Sequence, residues 1–281
     1  MTIFITGARG SIARSIIERL HAAGAPVRAA SKSPGELLVP EGVPTTALNL
    51  SRPDLAGPAF DGVSAVFLYP QPEGIDDLLK AASSAGVERI VLLSSAWVLA
   101  PGAEQAPVAR PNVLVERAIT GSAITSTFLR PDAFATNARS WIGFIRDDQP
   151  VPLAYPDAHV AAIHPDDIAD IAVAALTGDG LARHAVTLTG PESLTFRDQL
   201  ATIAQTIGRG IAIRTISRAE AEQQMGAHVP AAIVANLLDV WAAATAGPAP
   251  IGDTTQTLLG RPARTFAQWA AENRDAFAPA R

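Results

Sequence analysis

The chain has 281 residues, 48% of them apolar and 17% charged, with a net charge of −5 and no cysteine. That composition supplies a sizeable core, excludes disulfides, thiolate catalysis and cysteine–metal sites, and argues against nucleic acid or an anionic membrane as the main partner. The length suits one α/β domain with a smaller appended lobe, and no stretch approaches the ~18 uninterrupted apolar residues of a membrane span.

The first strand, residues 2–6, runs straight into Gly7-Ala-Arg-Gly-Ser-Ile-Ala13. Gly7 permits a sharp turn, Gly10 has no side chain to obstruct a pyrophosphate, and small Ala13 lets helix and strand pack closely. The helix that follows, Ser11 to Ala23, carries Ile12, Ile16, Ile17 and Leu20 on one face and Gly24 beyond its end. Its first turn offers unpaired N–H groups and a partial positive charge to phosphates. The junction predicts a dinucleotide site that includes Thr6, Gly7, Arg9, Gly10, Ser11 and Ile12.

Further strands are predicted at 27–31, 45–50, 63–69, 89–95 and 125–130, with helices over 76–85 and 108–120. Residues 63–69 are almost wholly apolar, as a strand covered on both faces should be. The alternation gives an α/β, Rossmann-type fold built on a doubly wound parallel sheet.

The pattern changes after Arg130-Pro131. A helix over 133–146 carries Phe134, Trp141, Phe144 and Ile145, a proline-rich loop spans 150–156, and Pro165 opens another helix. A strand at 185–188 is followed by helices at 195–207, 217–226, 229–246 and 265–277. Ser217…Glu220 and Thr265…Gln268 have capping-box spacing. The expected organisation is a nucleotide-binding domain over 1–131, rejoined by 158–190. A smaller, mostly helical substrate lobe, 132–157 with 191–281, lies over the carboxyl ends of the strands. The first strand begins at residue 2, which leaves no room for a signal peptide, so a soluble cytoplasmic protein is expected.

Strand two ends Ala29-Ala-Ser-Lys-Ser33, without the acid that holds a ribose 2′-hydroxyl in NAD-preferring sites. Ser31 and Lys32, together with Arg9 in the glycine turn, are suited to a 2′-phosphate, which favours NADP(H) over NAD(H). Metal is not expected: the five histidines include no pair at helical ligand spacing. There is no Gly-x-Ser-x-Gly nucleophile elbow and no basic stripe for nucleic acid.

Several passages carry a family likeness. They are Ile5-Thr-Gly-Ala-Arg-Gly-Ser-Ile-Ala13, Gly86-Val-Glu-Arg-Ile-Val-Leu-Leu-Ser-Ser95, Phe128-Leu-Arg-Pro131, Ile163-His-Pro-Asp-Asp-Ile-Ala169, Leu188-Thr-Gly-Pro-Glu192 and Leu259-Gly-Arg-Pro-Ala-Arg-Thr-Phe266. In their order and spacing the chain resembles the NmrA-like branch of the atypical short-chain dehydrogenases/reductases. It is similar there to the NAD(P)H:quinone oxidoreductase type 2 group and the EasG-like reductases. The resemblance implies that Asn49 lies near the adenine and that Tyr69, Pro70, Ser94 and Ser95 line the rest of the cofactor groove.

Typical members of the superfamily use a Ser–Tyr–Lys set, with Tyr and Lys four apart on one helix. Aligning Glu116 with the glutamate four residues past that lysine puts Asn112 at the lysine position and Val108 at the tyrosine position. The chain has two tyrosines, Tyr69 and Tyr155, neither on that helix. The expected function is therefore NADPH-dependent hydride transfer to a small hydrophobic acceptor that needs positioning more than acid catalysis: a quinone, an iminium or a conjugated carbonyl. Tyr69, Tyr155 and His164 are the candidate proton donors. Trp97, Phe134, Asn137, Trp141 and Tyr155 are the candidate acceptor contacts. Asp166 and Asp167 fall in a helix's first turn and Glu116 inside a helix, so structural roles are expected for all three. Trp241 and Trp269 are expected to pack in the core or between domains. The alternatives on the same fold are a non-catalytic NADP(H)-binding redox sensor and a non-redox cyclase or isomerase.

Overall fold

Short apolar runs separated by amphipathic helices assemble into one parallel sheet. The computed structural model describes residues 2–52 and 57–278. Its strands are β1 (Thr2–Ile5), β2 (Val27–Ser31), β3 (Thr45–Ala47), β4 (Val63–Leu68), β5 (Arg89–Leu93), β6 (Thr125–Pro131) and a last strand, Ala185–Leu188. Their order in the seven-stranded sheet is 185–188, β6, β5, β4, β1, β2, β3, and every neighbouring pair is parallel. The chain winds outward in both directions from β1 and β4, so the switch in strand order lies between them. In parallel α/β sheets it is at such a switch point, beyond the strands' carboxyl ends, that ligands bind. β4 and β5 are buried along nearly their whole length, as strands with helices on both faces must be.

The helices of this sheet are α1 (Ser11–Ala22), α2 (Ile75–Ser84), α3 (Arg110–Thr120) and the helix Pro165–Thr177. Ile16, Ile17 and Leu20 of α1 are fully buried, as their spacing predicts. Polar contacts then fix α1 along its outer side. Arg19 Nε lies 2.6 Å from Asp170 and its terminal nitrogen 3.2 Å from Asp166, and Ser15 Oγ donates to Asp166 at 2.6 Å. Asp166, in the first turn of its helix, thus faces Arg19 and Ser15 of α1. A second core layer forms around Phe4, Phe60, Val66, Leu68, Leu78, Ile90, Val115 and Ile119.

The chain divides into two compact units: 1–105, 109–131 and 165–188 in the first, and 106–108, 132–164 and 189–281 in the second. The return to the first unit therefore comes at Pro165, not at 158. Residues 158–164 belong to the second unit because their backbone is taken by its short strands. His159–Val160 pairs with Leu194–Thr195, and Ala162–Ile163 pairs with Ala133–Phe134. Thr189 and Gly190 also fall in the second unit. There Gly190 N–H donates to Ala161 O, and a Cβ on Gly190 would sit 2.2 Å from Ala162 O. Only glycine allows that approach.

Three predicted helices are shorter than expected. The first two residues of 133–146 are strand, Ala135–Trp141 is the tighter 3-10 form, and the α-helix is only Ile142–Arg146. The stretch 229–246 becomes an α-helix at Ala231, since Pro230 disfavours helical backbone before it. Over 265–277, the Thr265–Gln268 capping box forms as predicted, but the helix breaks at Asn273 between Phe266–Glu272 and Arg274–Phe277. A core of Trp141, Ile145, Leu200, Ile203, Phe266, Trp269 and Phe277 holds this unit, so Trp269 is a core residue. Among the described residues no helix is long and apolar enough to cross a membrane.

The packing yields a stability prediction. Phe4 has no exposed surface and meets Phe60 edge-on, with ring centroids 5.3 Å apart. Phe4→Ala should lower the unfolding free energy by about 3–5 kcal/mol, read from chemical denaturation.

Candidate functional site

The β1–α1 turn is built by conformation and by close approach. Gly7 has φ +60°, a left-handed conformation that costs a side-chain-bearing residue ~1–2 kcal/mol. Gly10 is the N-cap of α1 and has no side chain to cap it, and the first turn of the helix holds no acid. The N–H groups that a helix start leaves over thus face no competing carboxylate. Tyr69, one residue past β4, lies over the turn. A Cβ on Gly7 would meet its ring at 2.6 Å, and one on Gly10 would meet its hydroxyl at 2.8 Å. Thr6 ties the two strands together: its hydroxyl donates to Phe67 O at 2.9 Å and accepts from Tyr69 N–H at 3.3 Å. Thr6 is buried, so its work is to position the turn. Ile12 is buried and Ser11 half-buried at the helix start, and Pro70 is half-buried beside Tyr69. A turn whose two glycines bring no side chain of their own, at a helix start with no acid in its first turn, fits a diphosphate beside the Tyr69 ring.

The end of β2 differs from the expectation in one respect. Lys32 is exposed and Ser31 buried, its hydroxyl accepting from Ser33 N–H at 3.0 Å. A carboxylate is nonetheless nearby: the 3-10 turn Pro34–Glu36 folds back and brings Glu36 within 3.3 Å of Arg9. Both side chains are about two-thirds exposed, so Arg9 can exchange this partner at little cost. Asn49 holds its own turn, with Oδ1 accepting from Ser51 N–H at 3.2 Å.

Beyond β5, Ser94 is buried and hydrogen-bonds Glu116 Oε1. Arg130 grips the same carboxylate with two bonds, of 3.0 and 2.6 Å. Both side chains of this ion pair are mostly buried, at 18% and 11% exposure. Removing either partner of such a pair strands the other charge and costs about 3–5 kcal/mol. Glu116 is thus enclosed by Arg130 and Ser94. Asn112, at the position that the resemblance gives to lysine, is buried in α3. Ser95 accepts from Trp97 N–H at 3.2 Å and so starts the 3-10 turn Ala96–Leu99, on which Trp97 is half-buried.

In the second unit Trp141 is a core residue, and its ring begins a ladder. Trp141 meets Phe196 edge-on at 6.0 Å, and Phe196 meets Trp241 edge-on at 5.4 Å. Phe196 escapes sequence reasoning because nothing in a helix start marks a ring for this contact. Gln199, one turn further on the same helix, is buried, and its Nε2 has no hydrogen-bond partner among the described residues. Tyr155 packs with Trp241 against Ile216, Val234 and Leu238, and its hydroxyl bonds the Arg218 guanidinium. Phe134 is half-buried and Asn137 exposed. His164 is buried, with Nε2 3.0 Å from Glu272 Oε2. Asp132 goes unnoticed in the sequence, yet burial raises its carboxyl above the usual carboxylate range, partly offset by a hydrogen bond from the Ala161 backbone. The passages 188–192 and 259–266 meet around a cavity of about 770 Å³ lined by Pro191, Glu192, Arg261, Arg264, Thr265 and Gln268.

Comparison with known proteins agrees with this geometry. A sequence family described as NAD(P)H-binding matches residues 7–179. The chain is 37% identical to (4-alkanoyl-5-oxo-2,5-dihydrofuran-3-yl)methyl phosphate reductase of Streptomyces griseus, over 99% of each chain. It is 29% identical to the NAD(P)H azoreductase of Xenophilus azovorans, over 99% of this chain and 100% of that one. Two solved structures share its fold. Triphenylmethane reductase of Citrobacter sp. complexed with NADP(H) has a TM-score of 0.79 and 22% identity, covering 98% of this chain and 100% of that one. The NADPH-dependent quinone oxidoreductase of Escherichia coli complexed with NADPH has a TM-score of 0.79 and 21% identity, covering 96% and 99%.

The turn yields the second prediction. Gly10→Val should abolish NADPH binding in a calorimetric titration while the circular dichroism spectrum stays that of the parent. The branched side chain would take the space above the turn.

Proposed function

The chain belongs to the NAD(P)H-binding family, in its NmrA-like, atypical short-chain dehydrogenase/reductase branch, and is an NAD(P)H-dependent oxidoreductase; from that premise we propose that it uses NADPH to reduce a small hydrophobic, conjugated acceptor such as a quinone, an iminium or a conjugated carbonyl. The observation that carries this reading is α3. Between Arg110 and Thr120 it has neither tyrosine nor lysine, Asn112 is buried, and Glu116 is taken by Arg130 and Ser94. An acceptor that needs a strong side-chain acid finds none on this helix. A conjugated acceptor spreads the incoming charge and can be protonated afterwards by water.

Each part of the reading is assigned to residues. The reduced nicotinamide, when bound, supplies the hydride. Gly7, Gly10 and the first N–H groups of α1 receive the diphosphate. Arg9 and Lys32 are assigned to the 2′-phosphate, with Arg9 released from Glu36. Trp141, Phe196 and Trp241 offer flat apolar surfaces suited to conjugated rings, with the unpaired Gln199 amide as a hydrogen-bond donor. The relatives lend support: an azo group and a 5-oxo-2,5-dihydrofuran are both unsaturated acceptors.

Two outcomes are expected. NADPH should bind more tightly than NADH, and the double variant Arg9→Ala/Lys32→Ala should lose on the order of 10–100-fold in NADPH affinity with little change for NADH. Equal affinities in the parent protein would refute the NADPH preference. With NADPH deuterated at the nicotinamide C4, deuterium should appear in reduced quinones, iminium ions or enones. Plain ketones should react about 10²–10⁴-fold more slowly for want of a proton donor. Rapid ketone turnover would refute the reading of α3, and product formed without NADPH consumption would point to a non-redox reaction.

A further inference from the structure

Tyr69 occupies an unusual place for a tyrosine. Its side chain lies against the β1–α1 turn, close enough that a Cβ on Gly7 would strike the ring at 2.6 Å and one on Gly10 the hydroxyl at 2.8 Å. The contact is firmly set. The Tyr69 N–H donates to Thr6 Oγ1, and the ring meets Phe67 edge-on at 5.6 Å with planes at 89°. The hydroxyl oxygen takes a hydrogen bond from the backbone of Ala13, in the first turn of α1. That bond uses one of the orphan donors of the helix start and leaves the phenolic proton without an acceptor among the described residues.

We propose that the Tyr69 hydroxyl is a built-in donor to the cofactor's diphosphate: it accepts from Ala13 N–H and gives its own proton to a phosphate oxygen held at the glycine turn. This rests on the reading of that turn as the diphosphate site. It makes Tyr69 an anchoring residue and removes it from the candidates for proton donation to the acceptor. The protonation state agrees with that role. Burial pushes the phenol up to about 12, so it remains a neutral donor throughout the working pH range. A neutral phenol is also the right partner here, because a phenolate would repel the diphosphate. The chain thereby extends the α1 anion site with a side chain from the neighbouring strand end.

The test is calorimetric titration of the full chain with NADPH and with adenosine 2′-phosphate, which lacks the diphosphate. Tyr69→Phe keeps the ring and its packing on Phe67 and removes only the hydroxyl. It should weaken NADPH binding about 10–100-fold, the range for a hydrogen bond to a charged group, and leave adenosine 2′-phosphate binding unchanged. An unchanged NADPH affinity in Tyr69→Phe would overturn the proposal. So would an equal loss for both ligands, which would mark a distorted turn. A lowered turnover at saturating NADPH with affinity retained would make Tyr69 the acceptor's acid instead. Tyr69→Ala should also bind NADPH more weakly than the parent; tighter binding would mark the ring as a cover over the turn and overturn the proposal. If Gly10→Val bound NADPH normally, the turn itself would be misassigned and the proposal would fall with it. Loss of binding in Gly10→Val with no effect in Tyr69→Phe would defeat the tyrosine assignment alone.

Discussion

The close approach of the β1–α1 turn to the end of β4 is the constraint from which the rest of the first unit follows. Gly7 must be left-handed and Gly10 bare for Tyr69 to lie where it does. Thr6 makes the approach permanent by bonding both Phe67 and Tyr69. Because α1 begins at this turn, its position is set there at one end. Arg19 and Ser15 set it along its length, through Asp166 and Asp170 of the helix Pro165–Thr177. A helix held at both places presents its N-terminal donors in a fixed direction, which is what a preorganised anion site requires.

The same economy of space shapes the region beyond β5. α3 has neither tyrosine nor lysine; it carries a buried amide, Asn112, and, one turn on, a carboxylate enclosed by Arg130 and Ser94. That network joins α3 to the ends of β5 and β6. Its carboxylate is held from two sides and so braces the helix against both strand ends.

The second unit is held by a different principle. Among the described residues its three short strand pairings contribute few hydrogen bonds, and the aromatic and aliphatic side chains of helices packed on one another supply the core. The Trp141–Phe196–Trp241 ladder runs from that core toward a smaller cluster that includes Tyr155. Edge-to-face contacts of this kind orient rings as well as bury them.

Local sequence determined the elements whose signals are local. The glycine spacing, the apolar face of α1 and the near-continuous apolar runs of β4 and β5 dictated a parallel α/β sheet with a dinucleotide turn, since each is a matter of backbone freedom or burial period within a few residues. The capping box at Thr265 is of the same kind. Tertiary structure alone decided the remainder, because it depends on which distant groups meet. Glu36 reaches Arg9 only when the 3-10 turn folds back. Residues 158–164 join the second unit only because Ala133–Phe134 and Leu194–Thr195 are there to pair with them. The helix expected over 133–146 gives way for the same reason: a strand partner 29 residues on claims its first backbone groups, in the pairing of Ala162 with Ala133 and of Ile163 with Phe134. Tyr69 shows the division most plainly. Its place after β4 follows from the sequence, but the hydrogen bond to Ala13 exists only once β4 lies beside β1, because strand order in a parallel sheet is set by packing between segments far apart in the chain.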